Sequence, residues 1–134
     1  MNYNVDNWPF LWFGPWKEHG PSFSKYPSYE NFIDPELNEK YDKEKLVHYL
    51  ISSPITATTS RLNFTPLFDA KFESASISHR TNGSFVWLDD LAIYVANHNF
   101  VIPTSWYAQI EEQNFEIQTV TEEDIEVLES KIRG

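Results

Sequence analysis

A chain of 134 residues with 41% hydrophobic content and a formal net charge of −10 has room for one domain with one packed core. It is too rich in aromatics, with five Trp, seven Tyr and ten Phe, for an acidic disordered segment. The absence of cysteine excludes disulfides and thiolate metal sites, and the negative charge disfavours direct binding to nucleic acid or to a membrane surface.

Residues 1–27 read as an irregular arm. Pro9, Pro15, Pro21 and Pro27 recur too often for a helix interior, where each would remove a donor and clash with the preceding turn. The run from Trp8 to Trp16 is broken by two of these prolines and falls far short of the ~20 apolar residues of a membrane span. No charged segment followed by an apolar run marks a signal peptide, so a cytoplasmic, reducing location is expected. Trp8, Phe10, Trp12, Phe13 and Trp16 admit two roles: anchors of the arm in the core, or anchors for a partner.

Ser28–Ile33 reads as a short helical turn ended by Asp34-Pro35. A firmer helix is predicted from Asp42, a good N-cap, to Ser52, with Leu46, Tyr49 and Leu50 on one face and Pro54 beyond its end. Ile55–Ser60 is β-branched and reads as a strand; Phe68–Phe72 suggests another. Residues 75–88 predict a β-hairpin turning at Asn82-Gly83, with positive φ at both and Thr81 paired to Ser84. That register places Ile77, His79, Val86 and Leu88 on one face, and Ser78, Arg80, Phe85 and Trp87 on the other. Arg80 is expected to stack on Phe85 or Trp87.

Asp89 or Asp90 is expected to cap a helix to Asn97 that buries Leu91, Tyr94 and Val95 and ends near His98. Thr104 is expected to cap a helix through Gln113 that buries Trp106, Tyr107 or Ile110. Phe115–Val120 alternates like a strand. Thr121 with Asp124 resembles a capping box opening a last helix, with Ile125, Leu128 and Ile132 inward. The sum is an α+β fold, an antiparallel sheet with a central hairpin packed against several short helices, carrying the aromatic arm. No linker divides residues 1–134 into two domains.

The charge is unevenly placed. Residues 1–80 carry ten acids and eight bases, whereas residues 81–130 carry ten acids and no lysine or arginine. Such a field steers basic partners. None of His19, His48, His79 and His98 stands at a metal-ligand spacing with a second ligand, so no metal or other cofactor and no catalytic residue is predicted. Ser78-His79 is not read as a nucleophile and its base, because neighbours in a strand point to opposite faces.

The stretch Trp87-Leu88-Asp89-Asp90-Leu91-Ala92-Ile93-Tyr94-Val95-Ala96-Asn97-His98 through Ile102-Pro103 resembles a pattern of small uncharacterised bacterial proteins. In size, acidity and lack of motifs the chain is also similar in general character to immunity proteins that neutralise bacterial toxins. The leading expectation is a non-enzymatic inhibitor of that type, which blocks a basic site on a partner protein. Its contacts would be Trp12, Trp16, Trp106, Glu111, Glu112 and Glu116. The alternative is a small-molecule-binding domain or small enzyme with an aromatic pocket near Arg61, His79 and Arg80, where hydroxyls and guanidinium groups suit an anion.

Overall fold

The computed structural model describes residues 5–14, 16–21, 24–60 and 76–133. Among them four strands, β1 (Trp12–Phe13), β2 (Ile55–Ser60), β3 (Ser76–Thr81) and β4 (Val86–Leu88), form one sheet in the order β1-β4-β3-β2. The helices are α1 (Leu37–Lys40), α2 (Lys43–Ser52), α3 (Leu91–His98), α4 (Thr104–Glu112) and α5 (Glu122–Arg133). The fold is α+β, as the sequence predicts. The sheet is mixed, not purely antiparallel, because β1 runs parallel to β4, with Trp12 opposite Val86 and Phe13 opposite Trp87. The predicted strand at Phe68–Phe72 lies outside the described residues.

The strand in the arm corrects the expectation that residues 1–27 merely lie over the domain. Gly14 ends β1 at φ +81, where a Cβ would stand 3.1 Å from a Leu88 methyl, so both conformation and space call for glycine. Val86 N donates to Leu11 O, which leaves the Trp12 carbonyl on the outer edge, where the Trp8 indole N–H caps it at 2.9 Å. The indole thus blunts an edge that would otherwise template a further strand.

β3 and β4 form the predicted hairpin in a different register. His79 stands opposite Leu88, Arg80 opposite Trp87 and Thr81 opposite Val86, so the loop is residues 82–85 and not a two-residue turn. Of the pair, only Gly83 takes positive φ, at +92. Side chains open the loop. Asn82 Oδ1 accepts from Ser84 N and Phe85 N, and the Thr81 hydroxyl donates to Phe85 O while accepting from Gly83 N. These bonds take up backbone groups that a tighter ladder would have used. The register slips by an even number of residues, so His79 stays with Val86 and Leu88, and Arg80 with Trp87.

Trp87 and Phe13 face the core. The Trp87 ring stacks on Tyr49 of α2 and its Nε1 donates to Leu50 O, which ties α2 to the sheet. Asp42 caps α2 through Lys45 N, and Leu46, Tyr49 and Leu50 are buried, as the spacing predicts. Beside α2 lies α3, with Leu91, Tyr94 and Val95 inward. An antiparallel bridge between Ile33 and Phe100 brings the Ser28-capped 3-10 turn (Tyr29–Phe32) against the end of α3. At the centre, Phe13 meets Trp8, Trp16, Phe32 and Trp106 edge-on, at 4.8 to 5.8 Å between ring centres. Edge-to-face rings at this spacing add attraction beyond the area they bury.

Tyr41 closes the α2–α4 side. Its hydroxyl donates to Ile102 O and accepts from Ile102 N, and its ring stacks on Tyr107 at 4.0 Å. Burial pushes this phenol up to about 12.

Candidate functional site

The acidic residues named from sequence occupy the end of α4 and the chain beyond it. Glu111 and Glu112 are exposed on the last turn, while Trp106, Tyr107 and Ile110 of the same helix face the core. Thr104 does not cap α4. It is the first helical residue, and its hydroxyl donates instead to Asp6 of the arm at 2.7 Å. After Glu112 the chain reverses, because Asn114 and Phe115 both take positive φ (55 and 58) and Phe115 N donates to Ile110 O. The Phe115 ring turns back onto Tyr107, which leaves Glu116 exposed.

The strand predicted at Phe115–Val120 does not form. The positive-φ pair turns the segment, and 116–120 pairs with no described strand. Ile117 is left exposed, and Val120 lies 3.7 Å from where a Cβ on Gly83 would stand. The capping box is present: Thr121 N donates to Asp124 Oδ2 at 3.0 Å and Asp124 N to Thr121 Oγ1 at 3.1 Å. Those bonds to Thr121 hold the Asp124 carboxyl below its usual range. In α5, Leu128 is buried and Ile125 and Ile132 half-buried, so Glu122, Glu123 and Glu126 point outward. Glu111, Glu112, Glu116, Glu122, Glu123, Asp124 and Glu126 are all exposed, in a region where no lysine or arginine occurs from 81 to 130.

The three tryptophans separate. Trp16 (2% exposed) and Trp106 (5%) are core residues, so they cannot meet a partner on the folded chain. Burying such rings stabilises the fold by about 25 cal/mol per Å² of apolar surface removed from water. Trp12 alone stays half-exposed, stacked on Phe10 at 4.7 Å with Tyr26 edge-on at 5.2 Å. The arm meets α4 at its first turn, through Val5 O and Asp6, whereas the glutamates stand at the other end, roughly 10 Å along the axis. Ile117 and Val127 are exposed apolar groups that the sequence reading missed, as is the half-buried Tyr26 beside Trp12. Val127 falls off the 125-128-132 stripe of α5, a signal available from spacing alone.

The alternative site is not assembled among the described residues. Arg61 lies outside them. Arg80 does not stack on Phe85 or Trp87 as its anchor. Its Nε donates to Asp89 Oδ1 and its Nη1 to Ser53 O, each at 2.6 Å, because a half-buried guanidinium is best served by charged and carbonyl acceptors. His79, the preceding residue, projects from the opposite face of β3, beside Leu88. Asp89 is thus a partner of Arg80 and not a cap. Asp90, at the N-cap position, uses its buried carboxylate to accept from the Tyr94 hydroxyl at 3.1 Å, with no side-chain bond to the helix start.

Burial pushes the His79 imidazole below 6.5. Its contribution to stability is full above that value and is lost as pH falls through the lowered folded-state pKa. An NMR titration of its ring protons is expected to give a midpoint below 6.5, and urea midpoints should fall as pH drops through that range less in His79→Gln than in the parent. A midpoint at or above 6.5 would contradict the burial.

Among the described residues no group of three or more His, Cys, Asp or Glu side chains could hold a metal ion, and no helix is long and apolar enough to cross a membrane. Comparison of the chain with protein-family models, with curated proteins and with solved structures finds no match in any of the three.

Proposed function

We propose that this chain is a non-enzymatic binding protein of the toxin-immunity or inhibitor type, which occupies a basic site on a partner protein in the cytoplasm. One observation carries the reading: Glu111, Glu112, Glu116, Glu122, Glu123, Asp124 and Glu126 are each exposed, in a stretch from 81 to 130 that has no lysine or arginine, with the Lys45 ammonium of α2 set against the Phe115 ring at 5.9 Å. A field of one sign raises the rate of encounter with a basic surface and penalises acidic ones. Glu111, Glu112 and Glu116 are the steering charges. Exposed Ile117 and Val127 supply apolar contact within the acidic region, and Trp12 is the remaining aromatic anchor of the three first considered.

The test is capture of the partner from the native organism, followed by association and dissociation kinetics at low and high salt. Screening beyond a Debye length of ~8 Å at physiological ionic strength should slow association as salt rises. Reversal of Glu111, Glu112 and Glu116 to lysine should slow association about tenfold at low salt and leave dissociation within about twofold. Trp12→Ala should act mainly on dissociation. A partner whose association ignores both salt and the three glutamates overturns the reading.

A further inference from the structure

Asn82 and Gly83 are the chain's one Asn-Gly pair. This dipeptide is chemically labile, because glycine has no side chain to keep its amide nitrogen away from the preceding carboxamide. In an open loop the Gly83 nitrogen attacks Asn82 Cγ, giving up its proton as the bond from Cγ to Nδ2 breaks, and Nδ2 leaves as ammonia. Water then opens the cyclic imide at one of its two carbonyls. One opening gives aspartate, the other isoaspartate, and no oxidant or reductant is needed.

The fold commits every reacting group elsewhere. Asn82 is 6% exposed. Its Oδ1 accepts from Ser84 N at 3.0 Å and Phe85 N at 3.2 Å, and its Nδ2 donates to the buried Tyr49 hydroxyl at 2.9 Å. The would-be nucleophile, Gly83 N, donates its proton to Thr81 Oγ1 at 2.9 Å, and that hydroxyl is itself tied to Phe85 O. Attack requires the carboxamide to leave three hydrogen bonds and the Gly83 amide to leave one. We propose that Asn82–Gly83 is a latent self-modification site, closed by this network and reacting only in molecules whose hairpin tip has opened.

The two products differ in consequence. Aspartate keeps the backbone length, and its carboxylate accepts from the same two amides while the Tyr49 hydroxyl turns round to donate. Isoaspartate adds a methylene to the main chain between Asn82 and Gly83, which displaces Ser84 from its bond with Gln109 of α4. The first product recloses and the second does not.

The experiment incubates the full-length protein at mildly alkaline pH, natively and in urea, and follows ammonia loss at residue 82 by peptide mapping that separates the two products. The native rate is expected to be at least about tenfold below the rate in urea, because reaction tracks the open population. Tyr49→Phe, which removes the acceptor of Nδ2, should raise the native rate several-fold and leave the urea rate unchanged. If that variant does not fold, Thr81→Val, which frees the Gly83 N–H, reads the same effect. Asn82→Asp should keep the parent's urea midpoint. Equal rates in the two conditions, or a native rate that neither variant moves, overturns the proposal.

Discussion

Trp87→Ala is expected to lower stability by about 3–5 kcal/mol, the range for removing a large aromatic from a core. Trp87 is 1% exposed, and it stands between Phe13 on β1 and Arg80 on β3 with Tyr49 stacked against it. Truncation would open a cavity where the sheet, α2 and the arm meet. It would also leave the Leu50 carbonyl, near the end of α2, without the indole N–H it now accepts. Small domains are stable by only ~5–15 kcal/mol, so this one change removes a large share of the whole. Trp87→Phe restores most of the ring but not the donor, and is expected to cost about 1–3 kcal/mol, the penalty of a buried acceptor left unmade. Urea unfolding decides both. An alanine variant within about 1 kcal/mol of the parent would show that Trp87 does not join these elements.

The next largest effect is expected at Arg80, whose side chain is 17% exposed and joins two loops at once. Removing one member of a fully buried ion pair costs ~3–5 kcal/mol, and Asp89, at 38% exposed, recovers part of that from water. Arg80→Ala is therefore expected to cost about 2–3 kcal/mol. The carbonyl partner matters more than the charge. Ser53 follows α2, is buried, and has no access to solvent to replace the guanidinium. In a double-mutant cycle with Asp89→Asn, the coupling should be about 1 kcal/mol, with the larger part of the Arg80 loss persisting when Asp89 is neutral. Arg80→Lys should not rescue, since one ammonium cannot reach two acceptors held apart by a planar fork. Full rescue by lysine, or complete loss of the Arg80 effect in the Asp89→Asn background, would refute this account.

What the sequence disclosed and what it hid follow one division. Features set by neighbours along the chain were legible: the Asp42 cap, the 46-49-50 face of α2, and the reciprocal bonds of Thr121 and Asp124. The acidic surface was legible too, because carboxylates without partners are too costly to bury and must lie outside. Features set by distant residues were not. A two-residue strand whose partner lies beyond α1, α2, β2 and β3 leaves no periodicity, so β1 read as coil. Phe115–Val120 alternates, but alternation makes a strand only where an edge receives it. Tryptophan suits a core and an interface equally, which is why Trp16 and Trp106 were placed with Trp12. At Asn82-Gly83 the dipeptide rule held for the location and failed for the geometry, because Thr81 and Asn82 compete for the same amides.

The parallel pairing of β1 with β4 also sets an order of events during synthesis. Trp12 leaves the ribosome long before Val86, and the hairpin that offers the docking edge does not exist until β3 and β4 have both emerged. Through that interval Trp8, Phe13 and Trp16 have no core to enter, so the nascent chain carries these rings unburied. Closure of the β1–β4 pairing comes late and spans most of the chain, the kind of contact that slows folding. A growing polypeptide built this way depends, until its hairpin closes, on whatever shields aromatic surface at the tunnel exit.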